Sequence, residues 1–141
     1  MRCRRPSTPR FASSGSATRS PRTSAICRAL IATLTEDCVY EIPAWKQRWE
    51  GHAGATQFYN GLLTAFPDIH FALTDIVIGP QGVCEEADVT GTHEADWLGF
   101  PPSAQRLSWK VVIFFPWDPE RRLFRGEKVY TAGLPLSALA F

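Results

Sequence analysis

Several patterns that mark common functional classes are missing from this 141-residue chain. No apolar run approaches the ~18 residues that a membrane span needs, so a membrane is not expected as a partner. The four cysteines form no C-x-x-C pair, and the three histidines show neither H-x-H nor i, i+4 spacing. We therefore expect no metal site, and the cysteine usage indicates a reducing, cytoplasmic location. P-loop, nucleophile-elbow and dinucleotide-binding motifs are also absent, and we expect no cofactor.

Acidic residues are absent from the first 35 positions, which contain seven arginines. From residue 36 onward the chain has eight basic and fourteen acidic residues, a net charge of −6. This mildly acidic part argues against nucleic acid as its partner. Residues 1–22 are rich in Arg, Ser, Pro and Thr and predict a disordered tail before a domain at 23–141. A transit peptide or an RNA-binding arm would have a similar composition.

Hydrophobic spacing predicts two helices in the first half of the domain. Apolar residues at helical intervals predict the first helix from Cys27 to about Glu36. A short strand in "CVYEIPAW" follows and is stopped by Pro43. A continuous apolar stripe that ends before Pro67 predicts the second helix: Ala55, Phe58, Tyr59, Leu62, Leu63 and Phe66.

After residue 68 the apolar period changes from 3.6 to 2, which predicts strands. "HFALTDIVI" leads into a Gly-Pro-Gln-Gly turn, and an alternating segment then runs from Val83 to Trp97. "RLSWKVVIFF" and "LFRGEKVYT" continue the scheme on either side of the turn "PWDPERR". Helices followed by strands with mostly short connections predict an α+β fold with an antiparallel sheet folded around a helix.

The stretch "GTHEADWLGFPPSAQ", residues 91–105, carries the first candidate for chemistry. His93 has the phase of the apolar positions and is predicted to point to the buried side. A buried imidazole must be hydrogen-bonded or face a cavity, so His93 is either a satisfied core residue or a pocket residue. Gly91 would leave space beside its ring. Aromatic residues on neighbouring strands are typical of the walls of a small-molecule pocket: Trp97, Trp109 and Tyr130.

These segments resemble, in order and spacing, the SnoaL-like polyketide cyclase family. The resemblance rests on "YEIPAWKQRWEGHAGATQFYNGLLTAFPD", on "GTHEADWLGFPPSAQ" and on "LFRGEKVY", and it covers roughly residues 30–131. The family belongs to the nuclear-transport-factor-2-like, or ketosteroid-isomerase-like, superfamily. The resemblance implies a cone-shaped α+β fold in which a curved antiparallel sheet wraps a long helix and encloses a pocket. It also implies a homodimer formed through the sheet.

The resemblance further implies cofactor-free proton transfer at carbon on a hydrophobic substrate, by aldol cyclisation or by isomerisation. In such enzymes a carboxylate in an apolar pocket takes a proton from carbon, and a hydrogen-bond donor stabilises the enolate. The physical reason is general, because a carboxylate in a dry site is a stronger base than in water. A neutral donor nearby stabilises the developing oxyanion.

The family motif carries over incompletely. In the last strand, Glu127 and Tyr130 match it, whereas the position of the usual catalytic Asp holds Ala132. We therefore assign the proton transfer to His93 or Glu127 and the oxyanion donor to Tyr130. Simple alternation places Glu127 and Tyr130 on opposite faces, so Glu127 is either an exposed strand residue or, through a β-bulge, a pocket residue. His93 is a candidate base because its free pKa is near physiological pH.

Two further acids, Asp96 and Glu41, are weaker candidates for the catalytic group. Tyr59 is either a core residue or a ligand contact. The predicted substrate-binding residues are all aromatic: Trp45, Tyr59, Trp97 and Trp109.

Three functions remain open at this level. The first is a cyclase- or isomerase-like enzyme, and the second is a non-catalytic protein of the same fold that binds a hydrophobic small molecule. The third is an epoxide hydrolase of the limonene-epoxide-hydrolase type, which needs an Asp–Arg–Asp relay. None of the strand positions predicted to point to the buried side is an arginine, so the third function ranks last.

Overall fold

Six strands and one long helix make up the part of the chain that the computed structural model describes, residues 28–132. The predicted disordered tail, residues 1–22, lies outside this range. A helical turn at residues 28–31 comes first, and a single 3-10 turn follows the first strand. The elements are β1 (Leu34–Ile42), β2 (Gln47–Glu50), α1 (Gly51–Ala65), β3 (His70–Gly79), β4 (Gly82–Thr92), β5 (Arg106–Asp118) and β6 (Leu123–Ala132).

The strands form one sheet in the order β2-β1-β6-β5-β4-β3. Every pairing is antiparallel except that of β1 with β6, which is parallel. The sheet curves around α1, which confirms the predicted α+β fold. Buried side chains of the helix and of the inner face of the sheet form the core.

The predicted first helix is too long at its C-terminal end. Only residues 28–31 are helical, and β1 already begins at Leu34. The Thr33 hydroxyl donates to the Leu30 carbonyl at 2.6 Å, and the Phe124 backbone N–H donates to the Thr33 carbonyl at 2.9 Å. Leu34 is buried in either conformation, so apolar spacing could not show that the chain had joined the sheet. The short strand β2 was also not predicted.

The second predicted helix is confirmed as α1, which buries Ala55, Phe58 and Leu63. It ends at Ala65, and the backbone N–H of the C-cap residue Phe66 donates to the Leu62 carbonyl at 2.9 Å. The following Pro67 disfavours helical geometry in the residue before it, and the chain turns towards β3.

The parallel pairing of β1 with β6 depends on Gly126. Its φ of 119° suits glycine, and a Cβ at this position would overlap the carbonyl oxygen of Val39. Without a side chain there, the two strands approach closely enough to pair. In the resulting register Tyr40 lies beside Glu127.

The segment between β4 and β5 is held by backbone hydrogen bonds. β4 ends at Thr92, so the alternation that was predicted to reach Trp97 stops five residues earlier. The backbone N–H of Glu94 donates to the Ala65 carbonyl at 2.8 Å, and that of Ala104 donates to the His93 carbonyl at 2.8 Å. These bonds fix the segment against the end of α1 and bury Trp97.

Among residues 28–132 no helix is both long and apolar enough to cross a membrane.

The outer face of the sheet carries apolar side chains as well as charged ones. Val112 and Tyr130 are cross-strand neighbours, 37% and 48% exposed. Beside them Lys110 is paired with Glu86 and Asp88 at 3.0 and 2.8 Å.

We propose that this outer face forms a homodimer, as the family resemblance implies. Sedimentation at tens of micromolar should give roughly twice the 15.7 kDa chain mass. Val112→Arg should shift the equilibrium towards monomer, because two buried guanidinium groups would meet without partners. Wild-type protein that sediments as a monomer would contradict the proposal.

Candidate active site

A cavity of about 290 Å³ lies between α1 and the inner face of the sheet. Aliphatic side chains and six aromatic rings form most of its wall; the rings are Phe58, Tyr59, Phe71, Trp97, Trp109 and Phe115. Only a few polar side chains reach the wall, among them Glu85, Glu127 and Thr131. Concave, mostly apolar sites with few polar groups are typical of small-molecule binding.

The carboxyl group of Glu127 is the most enclosed acid in this wall. Its side chain is only 7% exposed, and the hydroxyl of Tyr59 donates to it at 2.5 Å. The hydroxyls of Tyr59 and Tyr40 lie 3.1 Å apart. Three elements meet here, because Tyr40 comes from β1, Tyr59 from α1 and Glu127 from β6. Two phenol groups therefore hold one buried carboxylate.

Burial raises the pKa of Glu127 to about 7, since an apolar wall disfavours the charged form. The hydrogen bonds from Tyr59 and Tyr40 act in the opposite direction, and the nearby Glu85 raises the pKa further. Burial and the charge of Glu127 raise the pKa values of Tyr40 and Tyr59 well above the ordinary value of a tyrosine. At neutral pH the phenols are therefore neutral donors, whereas Glu127 exists in both charge states.

A second acid, Glu85, was missed in the sequence. It lies on β4 and lines the same cavity, and burial raises its pKa. Its odd position matches the phase of Val83 and Ala87, which was the available signal.

His93 is buried, as predicted, but it does not line the cavity. The ring is completely enclosed and stacks on Phe66, with centroids 5.1 Å apart and planes 20° apart. The Ala95 backbone lies nearby, yet neither ring nitrogen has a hydrogen-bond partner of normal geometry among residues 28–132. Burial lowers its pKa.

The space at Gly91 is filled by Phe66, whose Cβ would stand 3.2 Å from an added methyl group. His93 is thus enclosed against Phe66, which packs in turn on the lining residues Trp97 and Trp109.

Tyr130 is placed on the opposite face of β6 from Glu127. It is 48% exposed, and the phenol that reaches the carboxylate is Tyr59 instead. This corrects the placement expected for the oxyanion donor. Ala132 has the same outward phase, so the missing family Asp removes no acid from the inner face at this position. Glu127 and Val129 both face the cavity by simple alternation. The register shift of the β5–β6 pairing lies before Lys128 and does not change this phase.

The remaining predicted residues divide between the wall and the periphery. Tyr59, Trp97 and Trp109 line the cavity. Trp45 packs on Phe100, with centroids 5.9 Å apart, and is not among the lining residues. The exposed Asp96 accepts the Gly99 backbone N–H at 3.1 Å, and Glu41 lies near Arg48 at 3.8 Å on the outer surface. Within residues 28–132 no cluster of three or more metal-binding side chains occurs.

The chain belongs to the SnoaL-like polyketide cyclase family. The sequence pattern of that family matches residues 23–121, which is more than half of this chain. No curated protein matches the sequence.

Solved structures share the fold at low sequence identity. A Jannaschia protein assigned provisionally to the SnoaL-like polyketide cyclases is 21% identical, with a TM-score of 0.64 over 74% of this chain and 71% of its own. A Shewanella denitrificans protein with the same provisional assignment is 11% identical, with a TM-score of 0.68 over 83% and 86%. A Catenulispora acidiphila protein with a ketosteroid isomerase-like fold is 14% identical, with a TM-score of 0.62 over 80% of both chains.

Replacing Glu127 with Gln should stabilise the protein at alkaline pH. The pKa of Glu127 is raised from 4.5 to about 7 on folding, so the folded state binds more protons than the unfolded chain between these values. The free energy of unfolding therefore falls as pH rises through this window, by at most roughly 3 kcal/mol. Glutamine does not ionise, so the free energy of unfolding of the variant does not fall in this way.

Thermal unfolding at about pH 5 and about pH 8 measures the effect. Glu127→Gln should raise Tm at the higher pH and change it little at the lower one. The exposed Glu94→Gln is the matched control and should track the wild type. An equal Tm difference at both pH values would show that Glu127 ionises as an ordinary surface acid does.

His93→Phe should remove an acid sensitivity and leave the cavity intact. The folded pKa of His93 lies below 6.5, so the unfolded chain takes up the proton first and stability is lost as pH falls below that value. The wild type should therefore lose Tm relative to the variant between about pH 7 and 5. The change in tryptophan fluorescence when a hydrophobic small molecule binds in the cavity should be the same in the variant as in the wild type. Parallel pH curves, or loss of the ligand response, would contradict this placement.

Proposed function

We propose that the protein catalyses cofactor-free proton transfer at carbon on a small hydrophobic carbonyl compound, with Glu127 as the acid–base group. The observation that carries the proposal is a carboxyl group enclosed in an aromatic cavity, held by two phenols, with a pKa of about 7. A general base works best when its pKa is close to the operating pH. Membership of the SnoaL-like polyketide cyclase family supports the same class of chemistry.

In the proposed step, ionised Glu127 takes a proton from the carbon next to a carbonyl group. The electrons of the C–H bond form a carbon–carbon double bond, and the π electrons of the carbonyl group move to its oxygen, which gives an enolate. Once Glu127 is protonated it carries no negative charge, and the Tyr59 hydroxyl that donated to it becomes available to the new oxyanion. The Tyr40 hydroxyl lies behind it and holds Tyr59 in place. Donors placed before charge develops stabilise it without reorganisation.

The enolate then has two fates in this family of reactions. Glu127 returns its proton to a different carbon, which is isomerisation, or the enolate carbon attacks a second carbonyl, which is an aldol ring closure. A cavity of about 290 Å³ is at the lower end of the range for ligand sites and favours substrates of one or two rings.

An epoxide hydrolase of the Asp–Arg–Asp type is less well supported. Its relay needs a guanidinium group between two acids, and no arginine is found among the described residues that line the cavity. Non-catalytic binding of a hydrophobic molecule is the alternative that the following experiment separates from catalysis.

Deuterium exchange at the acidic carbon of 2-tetralone, a two-ring ketone, tests the proposal by proton NMR in D2O. The protein should accelerate exchange above the buffer rate, with activity that rises through about pH 7 as Glu127 ionises. Glu127→Gln should reduce exchange to the buffer rate. Tyr59→Phe should lower it by about 10- to 1,000-fold, since it removes one oxyanion donor.

Glu94→Gln, an exposed acid away from the cavity, is the control and should keep the wild-type rate. Exchange that survives Glu127→Gln would disprove the assignment of the base. Binding of 2-tetralone without accelerated exchange would favour the non-catalytic alternative.

A further inference from the structure

Among the described residues that line it, the cavity has two acids and no basic side chain. Glu85 and Glu127 line it, and none of the described lining residues is a lysine, arginine or histidine. The surface acids of residues 28–132 differ in this respect, because several are paired with arginine or lysine at 2.7–3.8 Å. Within residues 28–132, the carboxyl groups in the cavity therefore have no basic side chain beside them of the kind that several surface acids have.

The two acids stand on opposite sides of β5. Glu85 on β4 is paired with Ile113, which is paired in turn with Val129 on β6. Glu127 is the next residue of β6 on the same face. Two strand spacings separate the β4 and β6 backbones by about 10 Å, so both side chains enter one cavity with space between them.

Aromatic rings fill the wall around that space. Phe71, Trp97 and Trp109 all line the cavity that Glu85 faces. The negative face of an aromatic ring attracts a cation, most strongly for tryptophan and when water is excluded. Rings and carboxylates together therefore favour a positively charged group over a neutral one of equal size.

Charge also argues against the opposite ligand class. A carboxylate or phosphate entering this cavity would meet two acids and no cation among the described residues, which costs electrostatic energy in an apolar site. An ammonium group would instead relieve the cost of burying an unpaired carboxylate.

We propose that the substrate carries a protonated amine and that Glu85 binds this group while Glu127 acts on the carbon. The inference rests on the proposed function, because it names the substrate class for the same cavity. It makes Glu85 the residue that selects for charge, and it leaves the proton transfer to Glu127.

Calorimetric binding of three probes of one size tests the proposal: 2-phenylethylamine, 2-phenylethanol and phenylacetate. At about pH 8 the amine should bind about tenfold more tightly than the alcohol, and phenylacetate should bind most weakly. Lowering the pH to about 5 should reduce this preference, because Glu127, with a pKa of about 7, becomes protonated, and the raised pKa of Glu85 moves it in the same direction.

Glu85→Gln should bring the affinities of the amine and the alcohol to within about threefold. The matched control is Glu86→Gln, one residue along on the outer face, where Glu86 pairs with Lys110; it should keep the preference. Equal binding of amine and alcohol by the wild type, a preference that survives Glu85→Gln, or binding of none of the probes would overturn the proposal. Calorimetry measures binding and does not require catalysis. A failure of the 2-tetralone exchange assay would therefore count against the proposed function and not against amine binding.

Discussion

The hydrogen bond from Tyr59 to Glu127 is the interaction on which the site depends, because it keeps an acid inside an aromatic cavity. The sheet and the helix each provide one half of it. β6 carries the carboxylate, and α1 carries the phenol that faces it. The parallel pairing of β1 and β6 adds Tyr40, and Gly126 permits that pairing. The chemistry proposed for the cavity thus follows from how three elements meet.

Stability and function oppose each other at this point. An enclosed carboxyl group with a pKa of about 7 costs folding free energy when it ionises. The same environment makes the ionised form a useful base near neutral pH. Glu85 adds a second negative group to the cavity and raises the pKa of Glu127 further. A natural sequence retains such a cost where function needs it.

Periodicity predicted much of the fold, because α1 and the strands β4 and β5 each bury one regular stripe, whereas β3 is almost entirely exposed. It predicted less of the site, since phase tells which face a side chain occupies and not what covers that face. His93 has the inward phase, but its ring stacks on Phe66 and does not line the cavity. Glu127 and Tyr130 obey alternation, and the family motif had grouped them in one site. Contacts such as that of Tyr59 with Glu127 span 68 positions and leave no local signal.

The pKa of Glu127 tests this account most directly. Carbon-13 NMR of the side-chain carboxyl, assigned by comparison with Glu127→Gln, gives that value without any substrate. The account predicts titration at about pH 7, and a higher value in Tyr59→Phe, because the Tyr59 hydroxyl stabilises the ionised form. Titration near the ordinary value of 4.5, unchanged by Tyr59→Phe, would contradict it.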